Sequence, residues 1–112
     1  MELGSTVIFG DERLKAAYGE LLSKNFQEQQ LKEWLDRAFN DLQKNAFCGL
    51  QIPKRLIPKE YSVRFGKLDN LWKYNLPNAW RLIYTIKREH IIVLSILIEW
   101  MDHKEYERKF KY

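Results

Sequence analysis

The stretch "LWKYNLPNAWRLIYTIKREHIIVLSILI", residues 71–98, decides the fold. Residues 71–76 and 80–87 set apolar and aromatic side chains beside single polar ones, and 91–98 is a nearly unbroken aliphatic run. This is the patterning of strands, not of a 3.6-residue helix. The links "PNA" and "REH" are so short that they join antiparallel neighbours. Alternate residues of a strand share a face, so Trp80, Leu82, Tyr84 and Ile86 lie on one side and Arg81, Ile83, Thr85 and Lys87 on the other. The first set is the side for covering helices. Arg81 then stands mid-sheet on the opposite side, with Lys73 of the neighbouring strand beside it if the register allows. For an isolated strand arginine, a pairing with a local carboxylate is the common case.

Upstream, "STVIFG" reads as a short strand ending at Gly10, and Asp11 is a good helix N-cap. Leu14, Ala17, Tyr18, Leu21 and Leu22 recur at helical spacing; Ser23, Lys24 and Asn25 interrupt it. A second, cleaner stripe follows in Leu31, Trp34, Leu35, Ala38, Leu42 and Ala46. The segment "FCGLQIPKRLIPKEY" carries one Gly and two Pro, which exclude a regular helix or central strand and make it an ordered connection. In it Leu50, Ile52, Leu56 and Ile57 are expected inside and Lys54, Arg55 and Lys59 outside. The tail "DHKEYERKFKY" holds enough Tyr and Phe to pack down as a short helix or turn, with Phe110 and Tyr112 as anchors. The expected fold is α+β in the order β-α-α-β-β-β, with two N-terminal helices on one face of a small antiparallel sheet and the other face free.

The 112 residues suffice for one domain, 1–112, and not for two. With 46% apolar residues, four Trp and six Tyr, the chain has ample material to bury. The single Cys48 offers neither an internal disulfide nor a cysteine-based zinc site, and is expected to be buried or half-buried in a reducing compartment. No apolar run reaches the ~20 residues of a membrane-spanning helix, so a soluble, cytoplasmic protein without membrane contact is expected. Charge is uneven. Residues 51–90 carry nine basic and three acidic side chains, against six and eight in residues 1–50. Such a basic segment suits a polyanion such as RNA, or an acidic protein segment; Lys54, Arg55, Lys59, Arg64 and Lys67 are the candidate RNA contacts. No Gly-rich phosphate loop, paired-histidine metal motif or Ser/His/Asp arrangement is present, so no metal or small-molecule cofactor is expected.

The helical first half, "LWKYNL", "WRLIYTI", an aliphatic strand and "DHKEYERKFKY", taken together, resemble the RelE/ParE superfamily, the small toxins of type II toxin-antitoxin pairs. The resemblance covers most of the chain. Its most specific parts are the arginine opening "RLIY" and the cluster His103, Lys104 and Tyr106 after the last strand. For RelE-type members it implies cleavage of messenger RNA on the ribosome by attack of a ribose 2′-hydroxyl on the adjacent phosphate, and a cognate antitoxin as partner. It further implies roles: Arg81 on the phosphate, Lys73 and Lys104 adding charge, His103 as base or acid, and Tyr106 stacking on a base or assisting proton transfer. Glu60 is the nearest glutamate upstream of the arginine strand, where some relatives carry a base. The strand before the arginine holds one lysine, Lys73, where efficient RelE-like nucleases hold a denser cluster. A non-enzymatic ParE-like topoisomerase inhibitor, and an inactive relative that binds RNA or antitoxin only, remain the alternatives.

Overall fold

The computed structural model describes residues 3–110, so Tyr112 lies outside the described residues. Strand β1 (Thr6–Phe9) leads through Gly10 into helix α1 (Glu12–Glu20), and helix α2 (Phe26–Lys44) follows. Next come a two-residue strand β2 (Leu50–Gln51), helix α3 (Lys59–Phe65), strands β3 (Trp72–Asn75), β4 (Arg81–Glu89) and β5 (Ile92–Met101), and helix α4 (His103–Phe110). The sheet order is β1-β5-β4-β3-β2. The fold is α+β, as expected, and the β3–β4–β5 meander is antiparallel. Two expectations change. The sheet is mixed, because β1 pairs with β5 in parallel, and its second face is not free.

Local chemistry explains most boundaries. Asp11 caps α1 by accepting the Leu14 N–H at 2.9 Å, and Asn25 caps α2 by accepting the Glu28 N–H at 3.0 Å, each satisfying a donor that a helix start leaves orphaned. Asp11 also receives Arg64 of α3, with Nε at 2.6 Å and Nη2 at 3.0 Å. That guanidinium holds the Asp11 carboxyl below the usual range. Gly10 is required where it stands: a Cβ there would sit 2.5 Å from the Leu97 carbonyl oxygen and 2.8 Å from the Phe65 ring.

The first core lies between α1, α2 and one sheet face. Leu14, Leu31, Leu35, Ala38 and Leu42 meet Leu82, Tyr84 and Leu97, with Trp34, Trp80 and Trp100 packed at its margin. Ala17 and Leu22, assigned by spacing to the inner stripe, are exposed, because α1 is short and gives way to a tight turn at Leu21–Ser23. Cys48 is likewise exposed. A second core covers half of the other face: Ile83, Ile98 and Met101 of the sheet meet Ile52, Tyr61 of α3, and Tyr106 and Phe110 of α4. Helix α3 is absent from the expectations because two prolines precede it. Both stand outside the helix, Pro58 directly before its first residue, where a missing N–H costs nothing. Gly66, at φ 81°, ends it. Ile52 is buried and Leu56 and Ile57 are half-buried, as expected, whereas Leu50 is exposed on the edge strand.

One irregularity fixes what the second face presents. Ile83 pairs with Glu99 and Tyr84 with Leu97, leaving Ile98 as the extra residue of a bulge. Ile98 enters the second core while Glu99 accepts the Tyr61 hydroxyl at 2.6 Å and Lys109 Nζ at 2.9 Å. The remainder of this face, around Ile8, Thr85 and Ile96, is the floor of an open cleft of about 500 Å³.

The β3–β4 turn carries backbone strain. Asn78 and Ala79 have φ of 56° and 61°, and the Trp80 N–H donates to the Pro77 carbonyl at 3.3 Å, a primed hairpin turn with Ala where Gly is favoured. Left-handed backbone costs a non-glycine residue roughly 1–2 kcal/mol, part of which Gly returns as unfolded-state entropy. Ala79→Gly is therefore expected to raise stability by about 1 kcal/mol in urea unfolding; a loss of stability would contradict this turn geometry.

Candidate functional site

Sheet register assembles the site. Asn75 of β3, Arg81 of β4 and Met101 of β5 are directly opposed across the three strands, and Lys73 stands opposite Ile83 in the next row. Lys73 and Arg81 thus share a face. Helix α4 starts two residues after Met101, with Asp102 as its cap, its carboxylate accepting the Glu105 N–H at 2.9 Å. The helix then lays Tyr106 over that face. Lys73 Nζ is 3.1 Å from the Tyr106 hydroxyl and 4.8 Å from the centre of its ring, while the Arg81 guanidinium carbon is 5.4 Å from the same centre. One electron-rich ring face therefore offsets two cations.

Arg81 is half-buried. Its Nη1 donates to the Trp80 carbonyl at 3.2 Å, and its Nε is buried with no hydrogen-bond partner. The local carboxylate that commonly satisfies a strand arginine is not found among the ion pairs of the described residues. A buried N–H of a cation left without an acceptor is costly; Nε itself is closed to solvent, so an outside anion would meet the half-buried guanidinium at its exposed part. The guanidinium is the group best shaped for two oxygens of a phosphate or carboxylate.

Tyr106 is only 3% exposed, and its ring centre lies 4.8 Å from that of Phe110. So deep a ring does not stack on a nucleobase; it positions Lys73 and Arg81. His103 and Lys104, by contrast, are exposed on the first turn of α4. His103 Nε2 is 2.5 Å from the carboxylate of Glu107, one turn on. This exposed pairing, one turn apart on α4, fixes the orientation of the imidazole. Glu107 was not singled out in the sequence, although its i,i+4 spacing from His103 is legible there. Asn75, exposed and opposite Arg81, was missed because only the register reveals it.

The other expected cations divide. Lys54, Arg55 and Lys59 are exposed on the connection and the first turn of α3, as expected. Lys67 lines the open cleft beside Thr85 and Lys87, away from Arg81. Arg64 is consumed by Asp11 and is not an outward RNA contact, a role withdrawn because its fork already holds a carboxylate. Glu60 pairs with Lys109 at 3.3 Å across the α3–α4 seam, which gives it a structural task. Among the described residues no group of His, Cys, Asp and Glu is arranged to hold a metal ion, and no helix is long and apolar enough to cross a membrane.

If Tyr106 supports the site by packing, Tyr106→Ala should cost about 3–5 kcal/mol of stability and Tyr106→Phe no more than about 1.5 kcal/mol in urea unfolding. Equal stability of the Ala variant and the parent would contradict the placement of α4.

No family model matches this chain, and neither a curated protein nor a solved structure matches it.

Proposed function

We propose that the chain is a RelE-like toxin that cleaves messenger RNA on the ribosome, adopting the RelE-type arrangement of helices and sheet. The observation that carries the reading is the meeting of Arg81 and Lys73 over the Tyr106 ring, at the end of the sheet from which α4 presents His103 and Lys104. In the proposed step the ribose 2′-oxygen bonds to phosphorus and the bond from phosphorus to the 5′-oxygen breaks. The products are a 2′,3′-cyclic phosphate and a free 5′-hydroxyl. His103, oriented by Glu107, takes the 2′-proton, and water supplies the proton that the departing 5′-oxygen takes up. Arg81 and Lys73 hold the non-bridging oxygens, whose charge grows in the transition state, and Lys104 adds a third positive charge. The exposed Lys54, Arg55 and Lys59 contribute sequence-independent attraction to RNA. An antitoxin with an acidic or amphipathic segment is the partner this reading assigns.

The His103–Glu107 pair favours a nuclease over a topoisomerase inhibitor of the ParE kind, which has no use for an oriented imidazole. Arg81→Ala is expected to slow transcript cleavage on programmed ribosomes by ~10²–10³-fold, and His103→Ala by ~10²–10⁴-fold, with both variants folded and both relieving growth arrest. Arrest undiminished by either substitution would overturn the site, and a DNA-damage response without cleaved transcripts would transfer the assignment to the ParE-like class.

A further inference from the structure

Behind Arg81, on the opposite face of the sheet, an open cleft of about 380 Å³ runs between the first turns of α2 and the β3–β4 turn. Its lining includes Trp34 and Trp80, the amide-bearing residues Gln27, Gln30 and Asn78, and Glu28. Both tryptophans are only partly buried: one side of each packs on the first core and another lines the cleft. We propose that this cleft is a base-binding subsite, which takes the nucleobase of the nucleotide flanking the phosphate held by Arg81. The inference rests on the reading of the chain as an RNA-cleaving toxin and extends it to recognition of sequence.

Three observations converge on it. Stacking on an indole favours every base because each offers a π-face, and an unpaired RNA base is typically read by aromatic stacking together with hydrogen bonds to its edges. Amides are the side chains that offer donor and acceptor together, and the Glu28 carboxylate adds an acceptor suited to an exocyclic amino group. Trp80 and Arg81 are consecutive, on opposite faces of the strand, with Cα atoms about 3.8 Å apart. Their side chains leave opposite faces, so a nucleotide with its phosphate at Arg81 and its base at Trp80 wraps the end of the sheet, where Asn75 and the turn form the edge. Finally, the turn that places Trp80 and Asn78 is the strained one, with left-handed backbone at Asn78 and Ala79. Strain of this kind persists where the surroundings hold a functional geometry.

The test uses ribosomes programmed with a messenger RNA randomised around the cleaved codon, with cleavage sites read by end sequencing. Gln30→Ala and Asn78→Gly, the latter compatible with positive φ, should each flatten base preference at one position beside the cut by about fivefold or more, with total cleavage within about threefold of the parent. Trp34→Ala should raise KM by ~10-fold or more with kcat little changed, and Trp34→Phe should restore it. Because Trp34 also packs on the core, the two amide variants carry the test if Trp34→Ala fails to fold. Unchanged base preference in both amide variants, with the parent cleaving normally, would overturn the subsite and leave the nuclease reading intact. A parent chain that does not cleave at all would remove the reading on which the subsite rests.

Discussion

The ring of Tyr106 is the contact on which the candidate site depends. It closes the second core beneath α4 and faces Lys73 and Arg81 with its π-surface. The helix that carries it is fastened at several points: Phe110 against Tyr61, Lys109 between Glu60 and Glu99, and Asp102 capping its first turn. Burial, reinforced by the hydrogen bond to Glu99, pushes the Tyr61 hydroxyl up, so it remains a donor throughout the physiological range. The bulge at Ile98 matters here, because it turns both Ile98 and Glu99 toward α3 and α4.

Covering this face changes the chemistry of Arg81. On a bare sheet the guanidinium would keep its water, and an anion would gain little by displacing it. Partly buried beside an aromatic ring, with Nε closed off from solvent, the same group keeps its charge in a poorer solvent, where an anion that reaches its exposed part is held more strongly. Asp11 shows the contrast within this molecule: Arg64 is also partly buried, but its fork is filled by that carboxylate. Of these two arginines only Arg64 has its fork filled by a carboxylate of the described residues. The covered face thus strengthens the case for an anion at Arg81 that an uncovered one was expected to make.

What could be read from the sequence was whatever short-range periodicity encodes. Alternation through residues 80–87 correctly divided Leu82 and Tyr84 from Arg81 and Ile83, and the short links correctly required an antiparallel meander. Periodicity says nothing about register, so the pairing of Asn75 with Arg81 was out of reach, as was the parallel seat of β1, which depends on a contact with the distant β5. Helix α3 is masked in the sequence by two prolines that speak against a helix through the segment, although both precede it. Tyr106 was legible as an anchor or as a chemical group; the packing of α4 shows it as an anchor, with its hydroxyl on Lys73. Arg64 looked like one more cation of a basic segment; its partner Asp11 lies 53 residues away.

The proposed chemistry turns on Arg81 holding a phosphate. The most direct measurement is the NMR resonance of the Arg81 Nε–H during titration with a 2′-O-methyl dinucleotide, which presents the phosphodiester and lacks the attacking hydroxyl. If Arg81 holds the phosphate, that resonance shifts saturably, together with the backbone amides of Lys73 and His103. A dinucleotide that shifts only the Lys54–Lys59 segment, with the Arg81 resonance unmoved at saturation, would contradict it.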